Sequence, residues 1–498
     1  MTGGAAGDRG SGADADAAAG RVVVLDLVGL QAEHVAPERT PNLAALLGDR
    51  VRPLKPPFPA VTVTSQTTLA TGRSPAAHGD VCNGAFDRES RTVEFWGRDA
   101  GDRGRLWEVA REAGVRTGAL FFQHLKGTDA DVAVTPSPIE DENNDLLEMH
   151  CWTNPDDYYA DLRADHGHFP LHNYWGPMAS AESSRWILTA AGDAVRDHDP
   201  DMLWVYVPHL DYAGLEHGPG PELDTELGVL DDLVGEFLDR LRADERWAET
   251  AVVVASEYGF HAVDAPAFPN RALREAGLLE TKPDPKADAA TATVFDLDAS
   301  RAFAMVDHQV AHVYCDAAVR EAVRDLLADL PGVDRVLAGD DLTADGLDHP
   351  SAGDLVLVAE RNAWFSYQWW SDDAEEPHYA TDVDIHEKPG FDPCELFLGD
   401  RGLVSTDATL VGGSHGRVDP EAYGVFGVGG PAAPALAHRP ARSADSPDEA
   451  PDADDVVDAR SVAPTVADLL GTHDDVAPLM GFERPSVFAA PAPAPTDP

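Results

Sequence analysis

The chain has 498 residues, of which 43% are hydrophobic, enough for one large α/β domain with an inserted lobe or for two domains. Its 88 acidic and 37 basic residues give a formal net charge of −51, and only five of the basic residues are lysines. Such a surface excludes nucleic acid as a partner bound across it, because phosphates are repelled, but a small phosphate ester can still reach a metal site. Only concentrated salt screens this charge, since the Debye length falls to about 3 Å at 1 M, and we therefore expect a halophilic, archaeal, cytoplasmic protein.

The cysteines and the apolar runs exclude two further classes. The four cysteines lie far apart and form no CxxC pair, which argues against a disulfide framework and against a thiolate zinc site (Cys82, Cys151, Cys315, Cys394). No apolar run approaches the roughly 20 residues that a membrane-spanning helix needs. Residues 1–20 are rich in Gly, Ala and Asp without the apolar core of a signal peptide, and they are predicted to form a disordered acidic tail.

Strands and helices alternate through the first half of the chain. Buried strands are predicted at residues 21–27, 115–122, 202–207 and 251–255, and helices at residues 41–48, 65–71, 104–113, 183–196 and 225–242. This alternation indicates an α/β fold with a doubly wound, mostly parallel sheet flanked by helices. We assign residues 21–280 to this core.

The pattern changes after residue 280. Strands at residues 301–315 and 333–337 around a helix at 317–330 predict a small inserted β-α-β lobe over residues 281–350. Residues 351–481 are expected to return to the core, with a strand at 353–359 rejoining the main sheet and a flexible loop at 430–454. Residues 482–498 are assigned to a tail.

The sharpest sequence feature is the run FPAVTVTSQTTLATGRSPAAHGDVCNG, residues 58–84. It places threonine hydroxyls at the start of a helix, where free N–H groups and the helix dipole favour an anion. A metal ion could convert either Thr62 or Thr64 into an alkoxide nucleophile toward a bound phosphate. The alternative is that these threonines only cap the helix.

This run resembles the nucleophile segment of the type I phosphodiesterase/nucleotide pyrophosphatase family, a branch of the alkaline phosphatase superfamily. The matching positions are a Thr ten residues before Gly72, the His78–Gly79 pair, and an Asn four residues beyond Gly79. The resemblance implies an alkaline phosphatase-like fold with the small α+β lobe inserted into it. It also implies that Thr62 is the covalent nucleophile and that Asn83 holds a phosphate oxygen.

The same resemblance implies a set of metal ligands, which this chain matches only in part. Asp211 and His415 stand in register, and Glu257 replaces an expected Asp. Three positions depart from the family pattern. Leu215 stands where the family has a His, and the nearest substitute is His217; Val28 stands where the family has an Asp, and the nearest substitute is Asp26. Tyr258 stands where the family has another His. The resemblance thus implies one or two divalent ions (Zn, Mn or Mg), held by an altered ligand set.

Two other segments are dense in Asp and His. Asp384 and His386 stand two residues apart and would point the same way from an extended segment, so we include them as metal ligands. Asp307, His308 and His312 form the second dense run. For both segments the alternative is a solvated acidic loop.

Two further features bear on the substrate. Arg271, with Arg274 one helical turn later, could clamp a phosphate or could equally pair with surface acids. The aromatic run at residues 364–370 could form the floor of a nucleobase or lipid pocket, or serve as core packing.

These features together predict a metal-dependent hydrolase of phosphoric esters acting on a small phosphorylated substrate, through phosphodiester or nucleotide pyrophosphate bonds. One alternative is a related hydrolase of a phosphonate, a sulfate or a lipid-linked diphosphate. Another is a degenerate protein that binds a phosphorylated ligand without turnover. Monoester against diester specificity and the oligomeric state are left open by the sequence.

Overall fold

A computed structural model describes residues 18–96, 99–101, 103–141, 146–434 and 455–489 of the chain. Most of the predicted acidic tail, most of the predicted loop at 430–454 and the end of the predicted carboxy-terminal tail lie outside these residues. Among the described residues no helix combines the length and the apolar character needed to cross a membrane.

The described helices and strands follow in chain order. The helices are α1 (Pro41–Leu47), α2 (Thr62–Thr71), α3 (Pro75–His78), α4 (Leu106–Glu112), α5 (Tyr158–His166), α6 (Ala181–His198), α7 (His209–His217), α8 (Pro221–Ala243), α9 (Pro269–Glu275), α10 (Arg320–Ala328), α11 (Asp340–Ala344), α12 (Val462–Leu469) and α13 (His473–Met480). The strands are β1 (Arg21–Leu27), β2 (Val51–Lys55), β3 (Gly84–Asp87), β4 (Thr92–Phe95), β5 (Thr117–Leu120), β6 (Val132–Pro136), β7 (Ile139–Glu140), β8 (Leu146–Glu148), β9 (Cys151–Asn154), β10 (Met202–Val207), β11 (Thr250–Ala255), β12 (His261–Ala262), β13 (Ala265–Ala267), β14 (Thr281–Pro283), β15 (Thr293–Phe295), β16 (Ala302–Asp307), β17 (Val310–Cys315), β18 (Val333–Leu337), β19 (Leu355–Ala359), β20 (Ala363–Phe365), β21 (Gly413–Ser414), β22 (Gly424–Gly429) and β23 (Val457–Asp458).

The main sheet has nine described strands in the order β23-β2-β22-β11-β1-β10-β5-β6-β9. Its central strands β11, β1, β10, β5 and β6 run parallel, while β22 and β9 run antiparallel to their neighbours in this central group. Strands β1, β10 and β11 are buried along their whole length and are rich in Val, Leu and aromatic residues, as expected for strands covered by helices on both faces. The predicted α/β fold with a mostly parallel, helix-flanked sheet is confirmed.

The three central strands end at the same edge of the sheet because they are parallel. Asp26, near the end of β1, is in register with Tyr206 of β10 and with Ala255 of β11. The segments that follow β10 and β11 therefore emerge beside Asp26. They carry Asp211, in the first turn of α7, and Glu257, two residues beyond β11.

The inserted lobe contains a four-stranded antiparallel sheet in the order β16-β17-β19-β18, with α10 between β17 and β18 in sequence. The expectation that a strand at 353–359 rejoins the main sheet is wrong, because β19 pairs with β17 on one side and with β18 on the other. Its sequence, Leu-Val-Leu-Val-Ala, is equally suited to a buried position in either sheet, so composition did not distinguish the two. The assigned domain boundaries stay a prediction.

Candidate active site

Thr62 is the first residue of α2, a helix whose ten residues are all buried. Its hydroxyl lies 2.9 Å from the Tyr258 hydroxyl. The Asn83 side chain accepts a hydrogen bond from the Val63 N–H through Oδ1, at 2.9 Å, and so closes one of the free donors at the helix start. Thr64 is fully buried, and its hydroxyl has no hydrogen-bond partner among the described residues. The Thr62 hydroxyl is therefore directed to another side chain, not to a backbone cap.

Tyr258 connects Thr62 to Asp211. The Tyr258 hydroxyl donates to Asp211 Oδ1 at 3.3 Å, and its ring stacks on the His415 imidazole with centroids 3.6 Å apart and an interplanar angle of 10°. His415 Nε2 lies 3.9 Å from Asp211 Oδ1, and His415 Nδ1 donates to the Ala60 carbonyl at 2.8 Å. These contacts bring together residues from α2, α7, the end of β11 and the β21 turn.

Asp26 and Glu257 form a second carboxyl pair at the same sheet edge. The Gln66 side chain, on α2, donates from Nε2 to Glu257 Oε1 at 2.8 Å, while its Oε1 accepts from the Gln123 backbone N–H at 2.6 Å. Both oxygens of Asp26 and Glu257 Oε2 are buried without an N–H or O–H donor among the described residues. The two carboxyls can hydrogen-bond to one another only by sharing a proton.

The three acids are strongly perturbed. Burial raises the pKa of Asp26 to about 7 and that of Asp211 to about 7. Burial, followed by the negative charge of Asp26, raises the pKa of Glu257 well above its usual range. Burial also holds the pKa of His415 far below its usual range. The site thus concentrates carboxylates and neutral imidazole in a dry environment, an arrangement that a divalent cation would stabilise and whose pKa order it would invert.

The donors fit a divalent metal ion. Three carboxylates and the unpartnered Nε2 of His415 supply mixed oxygen and nitrogen ligands, which suit Zn²⁺, Mn²⁺ or Mg²⁺. These four potential ligands come together as pairs and not as a group of three. In the described part of the chain, the groups of three potential ligand atoms that all lie within 4.8 Å of one another are Asp165–His166–Asp193 and His261–Asp419–Glu421. In those two groups an arginine already pairs with Asp193 (Arg196) or with Asp419 (Arg417).

Comparison with known proteins decides the family. The sequence model of the family "Type I phosphodiesterase / nucleotide pyrophosphatase" matches residues 22–392. The chain belongs to this family. The resemblance drawn from the Thr62 run is confirmed.

Curated relatives and solved structures agree with this membership. The chain is 25% identical over 262 residues to an uncharacterized pyrophosphatase/phosphodiesterase of Schizosaccharomyces pombe, covering 51% of this chain and 46% of that protein. It is 25% identical over 265 residues to ectonucleotide pyrophosphatase/phosphodiesterase family member 7 of Homo sapiens, covering 49% of this chain and 51% of that protein. The chain thus spans about half the length of these relatives.

Two solved structures share the fold. Murine ectonucleotide pyrophosphatase/phosphodiesterase 5, as an inactive variant in complex with AMP, superposes with a TM-score of 0.54 at 13% identity, over 91% of this chain and 95% of that one. Phosphonoacetate hydrolase from Sinorhizobium meliloti, in complex with phosphonoformate, gives a TM-score of 0.52 at 17% identity, over 82% and 90%. At these identities the likeness establishes the alkaline phosphatase-like fold.

In this member of the family, His217 does not replace the missing histidine at Leu215. His217 is the last residue of α7, its side chain is 45% exposed, and its ion-pair partner is Glu216. It follows Asp211 by six residues, which places it about 9 Å further along the helix and about 240° around it. Helical phase therefore directs the two side chains to different surroundings, and the prediction of a shared ion is not supported.

Among the described residues, Asp384 and His386 form no hydrogen bond or ion pair with Asp26, Asp211 or Glu257, and the Asp384 N–H donates to Glu395 Oε1 at 3.1 Å. Asp384 Oδ1 accepts hydrogen bonds from the backbone N–H groups of His386 and Glu387, both at 3.0 Å, and His386 is exposed. The segment is a turn and not extended, so the expectation that residues two apart point the same way does not apply. Its contacts fit the alternative of a solvated acidic loop.

Arg271 is engaged elsewhere. Its guanidinium lies over the Phe268 ring at 4.0 Å and donates to the Trp370 carbonyl. Arg274 pairs with Glu375, as the alternative of surface acids predicts. Trp364, Trp369 and Trp370 are buried in the core.

The sequence reasoning missed two contributors. The sequence indicates Tyr258 only as a lost ligand, but its hydroxyl is the partner of Thr62. It indicates His308 only as part of an Asp- and His-rich run, but the His308 ring lies 3.7 Å from that of His415. The Asp-His run at residues 307–308 is the sequence feature that indicates a candidate metal ligand. Its position beside His415 is set by the packing of the inserted lobe against the core, which the sequence does not show.

Proposed function

We propose that this chain is a divalent-metal-dependent hydrolase of phosphoric esters that cleaves a phosphodiester or nucleotide pyrophosphate bond with Thr62 as nucleophile. The observation that carries the proposal is the buried Thr62 hydroxyl at the start of α2, 2.9 Å from Tyr258, which in turn donates to Asp211. Membership of the type I phosphodiesterase/nucleotide pyrophosphatase family supports this reaction class.

The start of α2 is suited to the substrate anion. The first intrahelical bond runs from the Ser65 N–H to the Val61 carbonyl, so the helix itself does not use the N–H groups of Thr62, Val63 and Thr64, of which Asn83 accepts from Val63. Together with the helix dipole they favour a phosphoryl group against Thr62. Asn83, which borders the same turn, is the proposed polar contact to a phosphate oxygen.

Asp26, Asp211, Glu257 and His415 would hold one or two divalent ions. When bound, such an ion supplies Lewis-acid stabilisation of the transferring phosphoryl group and lowers the pKa of a coordinated hydroxyl. Binding of the ion would also place a positive charge beside the buried carboxylates.

Tyr258 gives the Thr62 proton a path. The Thr62 hydroxyl donates to the Tyr258 oxygen while Tyr258 donates to Asp211 Oδ1, so a proton leaving Thr62 can displace one toward Asp211. The Thr62 oxygen then forms its bond to phosphorus as the bond to the leaving-group oxygen breaks. Water hydrolyses the resulting Thr62 phosphoester, and the proton returns to the Thr62 oxygen.

A nucleotide is the first substrate class to test. The curated relatives are named pyrophosphatases/phosphodiesterases, and the murine structure that shares the fold holds AMP. The chain's net charge of −51 favours a small ester over a polymer.

The deciding experiment compares wild type, Thr62→Ala and Thr64→Ala in molar KCl. Metal content is measured together with hydrolysis of p-nitrophenyl phosphate, bis-p-nitrophenyl phosphate and a dinucleoside pyrophosphate, with Zn²⁺, Mn²⁺ or Mg²⁺ added. We expect metal-dependent turnover that Thr62→Ala abolishes and Thr64→Ala largely keeps. Loss with Thr64→Ala alone would make Thr64 the nucleophile, and the preferred ester assigns the substrate class.

A second candidate is a protein that binds a phosphorylated ligand without turnover. It is favoured by Leu215 and Tyr258, which stand where the family has histidines. Stoichiometric metal without turnover of these esters would point instead to a phosphonate, a sulfate or a lipid-linked diphosphate. Absence of both metal and turnover would favour the binding protein.

A further inference from the structure

Four aromatic rings lie in contact in a row that ends at the Thr62 hydroxyl, with the central pair, His308 and His415, tilted by 35°. Phe391 stacks on His308 with centroids 3.8 Å apart, His308 lies 3.7 Å from His415, and His415 lies 3.6 Å from Tyr258. His308 comes from the turn between β16 and β17 of the inserted lobe, whereas His415 and Tyr258 belong to the core. The lobe therefore places an imidazole directly against the candidate active site.

Both imidazoles present the same nitrogen. His415 Nδ1 donates to the Ala60 carbonyl at 2.8 Å, which leaves the lone pair on Nε2. His308 Nδ1 lies 2.9 Å from Asp307 Oδ1; with Asp307 ionised, as it is beside a bound cation, Nδ1–H donates to it and the lone pair is on Nε2. Both Nε2 atoms are buried and have no hydrogen-bond partner among the described residues, and the His308 residue is only 2% exposed.

The hydrogen bonds behind His308 have the form found behind metal-bound histidines. Asp307 is fully buried and accepts from the Asn83 N–H at 2.8 Å and from the Asn83 side-chain amide at 2.9 Å, which leaves it as an acceptor toward His308. A carboxylate on Nδ1 fixes the tautomer and the orientation of a ligating imidazole. Asn83 in turn binds the Val63 N–H, so the same network reaches the start of α2.

A purely structural ring would not need these features. His308 has a left-handed backbone with φ of 60°, an unfavourable conformation for a residue with a Cβ. A buried hydrogen-bond acceptor that lacks a donor also destabilises the folded state. A phenyl ring in place of the imidazole would fill the space between Phe391 and His415 without this cost. Bonds from the Gln309 N–H to the His415 carbonyl and from the Phe365 N–H to the His308 carbonyl hold the turn in place.

We propose that His308 and His415 together are the imidazole ligands of one divalent ion, so that the inserted lobe completes the metal site. Asp211, with Oδ1 3.9 Å from His415 Nε2, would be the carboxylate ligand beside this pair. Two neutral imidazoles and a carboxylate select Zn²⁺ or Co²⁺ over Mg²⁺, which favours oxygen ligands. This inference rests on the metal dependence in the proposed function and adds the ligand that neither Leu215 nor Tyr258 can supply.

The test is equilibrium binding of Co²⁺ and Zn²⁺ to the full chain in molar KCl, read from the Co²⁺ absorption spectrum and from competition with a chelating dye. His308→Asn is the test variant, because Asn tolerates a left-handed backbone. His217→Asn is the control, since that histidine is exposed and has Glu216 as its ion-pair partner. We expect affinity to fall at least about 10-fold in His308→Asn with an altered Co²⁺ spectrum, and to stay within twofold in His217→Asn.

X-ray absorption of wild type loaded with a single equivalent of Zn²⁺, which needs no variant to fold, is expected to count two imidazoles per ion. Two imidazoles, with one remaining in His308→Asn, support the proposal even if no ester is hydrolysed. One imidazole in wild type, or unchanged metal binding by a folded His308→Asn, overturns it while leaving the hydrolase function intact. Failure of wild type to bind either ion overturns both the ligand pair and the metal-dependent reaction.

Discussion

The hydroxyls of Thr62 and Tyr258 lie 2.9 Å apart, at the point where a buried helix start meets the end of strand β11. Tyr258 is fully buried, stacks on His415 and donates onward to Asp211, so its hydroxyl has a defined place between the proposed nucleophile and a carboxylate. A tyrosine at this position replaces an imidazole of the family pattern with a group that holds the nucleophile through a hydrogen bond.

Tyr258→Phe is therefore expected to lower kcat by about 10- to 100-fold with little change in KM, because the hydroxyl acts on Thr62 and not on the distal part of the substrate. Steady-state kinetics with the preferred ester provide the measurement. Tyr367→Phe is the matched control, since Tyr367 is also buried but its hydroxyl has no partner among the described residues. Equal loss in both variants would show a general packing effect and remove the specific role of Tyr258.

The main sheet and the central acids were predictable because parallel strands constrain their ends. The apolar runs in the sequence predict the buried strands β1, β10 and β11. Asp26, Asp211 and Glu257 each stand near the end of one of these strands. Once the sheet is parallel, these positions must meet at one edge.

The remaining predictions required contacts that the sequence does not encode locally. Helical phase separates His217 from Asp211, and the segment of Asp384 turns back on its own backbone N–H groups, neither of which follows from spacing in the sequence. β19 was assigned to the wrong sheet because its apolar pattern is compatible with both. His308 could not be placed beside His415 before the lobe was docked, since 107 positions separate the two residues.

His312 predicts a loss of stability in acid. Its Nδ1 accepts from the Gly353 N–H at 3.0 Å and its Nε2 donates to the Val81 carbonyl at 3.2 Å, so the folded protein requires the neutral ring. Burial is the main cause that lowers the pKa of His312 from 6.5 to about 4. The unfolded chain binds the proton first, and stability is therefore full above pH 6.5 and falls as pH decreases from 6.5 to 4, by at most about 3 kcal/mol for this group.

Denaturant unfolding of metal-free protein between pH 4 and 8 at constant KCl measures this effect. His312→Gln is expected to be less stable at pH 8 but to show a shallower decline between pH 6.5 and 4. Other buried groups also set the slope: the pKa of His34 is lowered to about 4 and that of His78 to about 3, which adds to the decline, whereas the pKa values of Asp26 and Asp211 are raised to about 7, which opposes it. The contribution of His312 is therefore the difference in slope between wild type and variant. An unchanged slope in the variant would contradict the assignment to His312.

Lys388 predicts a large stability effect from a single charge. It is 2% exposed, and its amine lies 2.9 Å from Asp392 Oδ2 and 2.6 Å from Glu395 Oε1. Burial opposes its charged form, but the two carboxylates overcome this and raise its pKa. Lys388→Met leaves two buried acids without their cation and is expected to cost about 3–5 kcal/mol of unfolding free energy.

Equilibrium unfolding in guanidinium chloride tests this expectation. Lys282→Met is the control, since the Lys282 side chain is 55% exposed and its carboxylate partner, Asp296, is 3.8 Å away; it is expected to change stability by no more than about 0.5 kcal/mol. Comparable small changes in both variants would mean that the buried acids of the Lys388 variant become protonated at little cost.

The net charge of −51 predicts that stability depends on concentrated salt. At low ionic strength the acids repel one another across the surface, and raising KCl toward 1 M shortens the Debye length to about 3 Å and removes most of this repulsion. We expect Tm to rise continuously from 0.1 M to molar KCl and ester hydrolysis to rise with it. Sucrose at matched osmolarity separates screening from solvent exclusion, because a neutral solute leaves charge repulsion in place. Full stability and activity at 0.1 M KCl would overturn the interpretation of the surface as salt-adapted, and with it the expectation of a halophilic cytoplasm.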